Sequence, residues 1–222
     1  RVHLVLHLAT MPCMNVHTKE VSAQIRDQIT KVSRCMFNAG LFGIFHGSIS
    51  GRISQEKFVV NRRNAILDSV DESALMLLDI NYDYRYNDAS MDAYIHAEIY
   101  ESFSEAKFIV FAAPPAVVAF SLKNTTLNPS DYFGFIGLSQ SVPILDPKDY
   151  ETWEERANVD IVRFLKQSQQ EFVIIRGYGI YAFGRDLTYV AKLIALIEHS
   201  CHIIALSQPL DLNVDDDKRF GV

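Results

Sequence analysis

Apolar residues along this chain recur with two different periods, and the places where the period switches mark the elements. From 19 to 39, Val21, Ile25, Ile29, Val32 and Met36 follow at three- and four-residue steps, the spacing of one helical face. Thr18 stands where an N-cap is needed, and Gly40 where the helix can end. Residues 41–54 and 57–61 predict the strands of a hairpin joined around Gln55-Glu56, and 74–80 predict a further apolar strand. Helical spacing returns at 91–103, followed by a continuous apolar run at 107–112 that reads as a buried strand. Pro114 can open a short helix carrying Val117, Val118 and Phe120. Residues 155–169 and 187–207 predict two later helices flanking strands at 172–175 and 180–183. Between those strands, Gly177 and Gly179 supply the open backbone of a tight turn. Residues 124–130 read as a polar loop.

Strands alternating with helices over one core give an α/β domain at 18–210. Before it lies an arm, 1–17. After it lies an acidic-then-basic tail, 211–222, expected to be mobile. The arm opens Arg-Val-His-Leu-Val-Leu-His-Leu-Ala-Thr, too short to span a bilayer. It lacks a clean small-x-small cleavage pattern. Met11 could equally be a natural start, with residues 1–10 not native.

Composition narrows the function classes. At 222 residues and 49% apolar, the chain can bury a substantial core. A net charge of −6, with 21 Lys and Arg spread without a long basic run, argues against a nucleic-acid surface. A membrane role is likewise not expected. Cys13, Cys35 and Cys201 lie far apart with no C-x-x-C pair, so they read as ordinary thiols of a cytoplasmic protein.

Candidate chemistry is concentrated in four short segments. They are Gly47-Ser48-Ile49-Ser50-Gly51-Arg52, the stretch from Ser90 through Asp92 to His96, Phe111-Ala112-Ala113-Pro114-Pro115, and Arg176-Gly177-Tyr178-Gly179. In order and spacing they resemble the class II aldolase/adducin family, over roughly residues 18–206. Its pattern reads G-N-[LIV]-S-x-R, T-P-[ST]-G, S-S-E-x-x-x-H, V-H-T-H-P-P and R-[ND]-H-G. Gly47, Ser50 and Arg52 fit the first motif, with Ser48 where Asn is usual. The second falls on Asn61-Arg62-Arg63-Asn64 and loses its Thr, Pro and Gly. Ser90 and His96 fit the third, with Met91 and Asp92 in place of Ser and Glu. The resemblance implies a three-layer α/β/α domain with a mostly antiparallel sheet. It implies a homo-oligomer, a tetramer in many family enzymes, and a lyase that holds zinc on one Glu and three His.

Those ligand positions fall here on Asp92, Phe111, Ala113 and Tyr178. A catalytic zinc needs about three protein ligands and an open position. Asp92 alone is a metal-capable carboxylate, so no zinc or other cofactor is expected, although the family uses one. The expectation is a pseudoenzyme: a non-catalytic, oligomeric binding or scaffold protein. The alternatives are a fuculose-1-phosphate aldolase-like lyase with a rebuilt site, using Asp92 or Tyr178, and a sensor of a small phosphate-bearing molecule.

Several residues carry two readings. Ser48, Asn61, Arg62, Arg63 and Ser90 occupy the positions that hold substrate phosphate in the family, and could hold a small anion. Alternatively, Arg62 and Arg63 are a solvated pair on a hairpin loop. Asp92 reads as a lone general base or as an acid at a helix N-terminus. Tyr178 could donate to it across the space of the missing metal. His46 reads as an ordinary strand residue. His199 and His202 could share a helix face. Tyr82, Tyr84 and Tyr86 alternate in a way that places all three on one side of an extended segment, suited to a sheet edge or subunit contact.

Overall fold

The computed structural model describes residues 23–138 and 141–207. The arm at 1–17, the Thr18 cap and the tail at 211–222 lie outside them.

Eight strands form one sheet in the order β3-β2-β1-β4-β8-β7-β6-β5. They are β1 (Ser48–Arg52), β2 (Lys57–Asn61), β3 (Leu75–Asp79), β4 (Phe108–Ala112), β5 (Thr126–Leu127), β6 (Val142–Leu145), β7 (Phe172–Ile175) and β8 (Gly179–Gly184). Every pairing is antiparallel except β6 with β7. The helices are α1 (Ala23–Asn38), α2 (Ala93–Ser102), α3 (Pro115–Lys123), α4 (Tyr132–Leu138), α5 (Trp153–Ser168) and α6 (Leu187–Ser207).

Side chains alternate across a pleated sheet, and here each face meets its own helices. On β4, Phe108, Val110 and Ala112 join the core under α1, α3 and α6, while Ile109 and Phe111 join the core under α2 and α5. Strand β8 divides the same way, with Ile180 and Ala182 on one face and Tyr181 and Phe183 on the other. The result is a three-layer α/β/α domain.

Helix α6 is long and apolar enough, by length and composition, to cross a membrane. Within the domain it packs along one face: Leu187, Val190, Ile194, Ile197 and Cys201 form a buried stripe, and a third of its apolar window is buried. It packs on α1, α3 and α4. Its Glu198 accepts hydrogen bonds from the Ala116 and Val117 amides, at 3.0 and 2.9 Å. That carboxylate satisfies the first free N–H groups of α3, where Pro114 and Pro115 offer no polar side chain.

Three sequence expectations need correction. Residues 41–47 are a loop rather than part of a strand. Leu41 and Phe42 are buried, but Ile44 and Phe45 point outward, so the apolar run has no strand-like alternation. The loop expected at 124–130 contains β5, and beyond it lie α4 and β6. The Tyr82–Tyr86 segment is not extended: Tyr84–Asn87 is a 3₁₀ turn that buries Tyr86 and leaves Tyr82 and Tyr84 exposed. Asp83 nucleates that turn by accepting from the Arg85 amide at 2.8 Å.

Candidate functional site

Sheet register assembles the site. Ser48 on β1 pairs with Phe111 on β4, and Phe111 pairs with Tyr181 on β8. Directly paired residues share a face, so these three side chains form one row across the sheet, and α2 lies over it. Asp92 occupies the N-cap position of α2 but makes no capping hydrogen bond. The helix-terminal reading of Asp92 therefore gives the position of its backbone and misses the role of its carboxylate.

Asp92 is 2% exposed. Its Oδ1 accepts a 2.6 Å hydrogen bond from the Tyr181 hydroxyl. His46 Nε2 lies 2.9 Å from Oδ2, ion-pair distance though off the line of an aligned hydrogen bond. Burial works to raise the Asp92 carboxyl. His46, with smaller help from His96 and Tyr181, outweighs it and keeps the group below the usual carboxylate range. The same contact raises the His46 imidazole, against the opposing pull of burial. Burial also drives the Tyr181 phenol well above its ordinary value, so it remains a donor. Tyr178, expected to reach Asp92, interacts with the Tyr181 hydroxyl instead; Tyr181 is the residue that takes the carboxylate.

The Phe111 ring fills the middle of this cluster. Its centroid is 4.6 Å from that of Tyr181, 5.0 Å from Tyr178 and 5.2 Å from His46. It also presses on Gly179, where an added Cβ would come within 2.8 Å of the ring and 2.5 Å of the Ala112 carbonyl oxygen. The Gly177-Tyr178-Gly179 turn depends on this absence of side chains, with φ of 66° and 155° at the glycines.

Behind the cluster is a second hydrogen-bond network. His96 holds Ser48 Oγ at 2.9 Å through Nε2 and Ser50 Oγ at 2.7 Å through Nδ1, and Ser50 Oγ meets the Tyr100 hydroxyl at 2.8 Å. A neutral imidazole has one donor and one acceptor nitrogen, so one serine donates and the other accepts. Burial lowers the His96 pKa to about 4, which keeps the ring neutral. Arg52 donates to the Tyr100 and Phe103 carbonyls at the end of α2.

The positions expected to hold an anion are divided. Ser48 is committed to His96. Asn61 accepts from the Ile49 amide at 2.8 Å and donates to the Gly47 and Arg62 carbonyls. Arg62 donates through Nε to the Ser73 carbonyl at 2.8 Å. Arg63 and Ser90, whose Oγ accepts a long 3.5 Å hydrogen bond from the Asp92 amide, line a polar cavity of about 250 Å³ with Asp92, Tyr94, Glu154 and Tyr178. On the other side of Tyr178 lies a cavity of about 490 Å³ walled by Phe45, Phe111, Ala113, Val118 and Leu122, with His46 in its lining.

The sequence model of the class II aldolase and adducin N-terminal domain matches residues 27–205. The chain belongs to this family. No curated protein sequence matches it. Among solved structures, it is similar to L-fuculose-1-phosphate aldolase from Thermus thermophilus, with a TM-score of 0.76 and 22% identity over 90% of this chain and 100% of that one. It is similar to a second L-fuculose 1-phosphate aldolase at TM-score 0.72 and 17% identity, covering 88% and 93% of the two chains. A sugar-phosphate aldolase from Thermotoga maritima aligns at TM-score 0.61 and 16% identity, covering 86% and 97%. At these identities the likeness establishes the fold. This class II aldolase-family domain offers a poor donor set for the zinc that the family resemblance implies. Among the described residues, no group of three or more His, Cys, Asp and Glu is placed to hold a metal. Asp92 and His46 are two donors already turned on each other.

His46 is the residue that sequence reasoning undervalued. The signal available was its place, immediately before the Gly47-Ser48 motif, which brings it to the same end of the sheet as Asp92. His199, half exposed, approaches Asp131 at 4.0 Å and lies edge-on to the Phe133 ring. It lies on α6, away from the site.

Proposed function

We propose that this family member binds rather than cleaves: a non-catalytic, metal-independent protein in which an imidazole has taken the place of the cation beside Asp92. The observation that carries the reading is the double engagement of Asp92 by Tyr181 and His46, with Phe111 filling the space between them. The family's lyase chemistry uses a metal as a Lewis acid for a developing enediolate. The residues at the corresponding positions here serve packing and hydrogen bonding. The reading places the protein in the reducing cytoplasm, in keeping with the free thiols of Cys35 and Cys201. It also makes the protein a homo-oligomer, a tetramer if it follows the assembly that the family resemblance implies. The support is the exposed apolar side of α4, where Tyr132, Phe133, Phe135 and Ile136 face outward.

The test is metal content by mass spectrometry after loading with zinc and dialysis. Retention of less than about a tenth of an equivalent per chain is expected. Near one equivalent, lost on Asp92→Ala, would overturn the reading and call for lyase assays on sugar phosphates. A second reading, a small-anion sensor, draws support from Arg63 and Ser90 beside Asp92 in the polar cavity. Inorganic phosphate would then raise the melting temperature, and Arg63→Ala would abolish the rise.

A further inference from the structure

The 490 Å³ cavity lies in the size range of small-molecule sites, which combine apolar walls with a few polar groups that fix orientation. Its walls are rings and aliphatic side chains, and His46 brings a polar edge into the lining. The two nitrogens of that ring have different environments. Nε2 is turned to Asp92, while Nδ1 has no partner among the described residues. Charge narrows the ligand further. Whether the imidazole is protonated or neutral, the buried Asp92 carboxylate beside it leaves no net positive charge for an anion. The other source of anion attraction nearby, the amide end of α3, is already occupied by Glu198.

Resting on the binding reading above, we propose that this cavity takes a neutral, largely apolar molecule with one hydroxyl, of the phenol class, held by a hydrogen bond to His46 Nδ1. A hydroxyl can donate to that nitrogen or accept from it, so it fits either protonation state of the ring. The aromatic body packs on Phe111, Tyr178 and Phe45. A sugar phosphate suits this space poorly, because most of its hydroxyls and its phosphate would lose water without gaining a partner.

The experiment is isothermal titration of the full chain with p-cresol, toluene, p-toluate and inorganic phosphate, with metal content measured on the same samples. p-Cresol is expected to bind with submillimolar Kd, toluene about five-fold more weakly, and p-toluate and phosphate more weakly still. His46→Phe should reduce p-cresol to the affinity of toluene. Ala119→Trp, on the exposed side of α3 at the cavity rim, should abolish p-cresol binding while leaving the fold intact, and it remains informative if the His46 variant fails to fold. The proposal is overturned if p-toluate binds as tightly as p-cresol, if p-cresol fails to bind at millimolar concentration, or if Ala119→Trp leaves its affinity unchanged. Those outcomes in metal-free protein leave the binding reading standing. Near-stoichiometric zinc in the same samples would sink that reading separately.

Discussion

His46 Nε2 lies 2.9 Å from Asp92 Oδ2, so the buried carboxylate at the start of α2 faces an imidazole of its own chain. Removing one member of a buried pair strands the other, and the stranded group costs more than the pair contributed. His46→Ala should therefore destabilise the domain by about 2 kcal/mol in urea unfolding. The double variant with Asp92→Ala should lose about 1 kcal/mol less than the two single losses added together. Strict additivity would mean that Asp92 draws its support from Tyr181 alone.

The pH dependence of stability should be bell-shaped, with opposite limbs carried by two histidines. The raised pKa of His46 contributes stability that is complete below 6.5 and lost as pH rises through its folded value. His96 acts in the other direction. Its pKa is lowered from 6.5 to about 4, so between those values the unfolded chain binds a proton that the folded chain refuses, and stability falls as pH falls. The lowered carboxyl of Asp92 adds a further loss below 3.8. Thermal melts across pH 4–8 should flatten on the acid side for His96→Gln and on the alkaline side for His46→Gln.

Two glycines with positive φ should respond differently to alanine. Gly179, at φ 155°, has no room, because a Cβ would stand 2.5 Å from the Ala112 carbonyl oxygen. Gly179→Ala should cost about 3 kcal/mol. Gly40, at φ 72°, has nothing within 4 Å of an added Cβ, so Gly40→Ala should cost only the backbone term of about 1–2 kcal/mol. Equal losses in chemical denaturation would show that the clash at Gly179 is relieved by movement of the turn.

Phe133 and Phe135 on α4 are 66% and 68% exposed. If this face joins subunits, Phe133→Glu with Phe135→Glu should reduce the mass measured by light scattering to that of one chain, with the far-ultraviolet spectrum unchanged. An unaltered assembly would place the contact elsewhere.

Legibility from sequence followed the physics of each element. Helix α1 and strands β4 and β8 sit at a period fixed by burial on one or both faces, and that period is written in the residue types. Helix α4 was hidden because Gly134 and Gly137 suggest a breaker. They are there for contact: a Cβ on Gly134 would meet Ser200 Oγ at 2.2 Å, and one on Gly137 would meet Leu196 at 2.4 Å. Such close approach to α6 is a tertiary fact with no local signature. Strand β6 was hidden by Pro143, a residue that argues against a central strand, although β6 pairs with β5 on one side and β7 on the other. At the site, motif spacing points to Asp92, Phe111 and Tyr178, and the fold brings these three near one another. The His46–Asp92 contact joins residues far apart in the chain, and it becomes visible only when the loop before β1 is seen to bend toward the start of α2.

Tyr178 belongs to the linings of both cavities, the polar one holding Arg63 and the apolar one holding His46. A compartment suited to charge and one suited to oil therefore share this side chain as a wall, mounted on a glycine-flanked turn, beside the contact of Asp92 with His46. Substitution of this tyrosine by a small residue would join the compartments into a single elongated chamber with a cation at one end and an apolar floor at the other. The residue at 178 thus bears on the size of molecule each compartment can take, without any change to the sheet or helices that carry it.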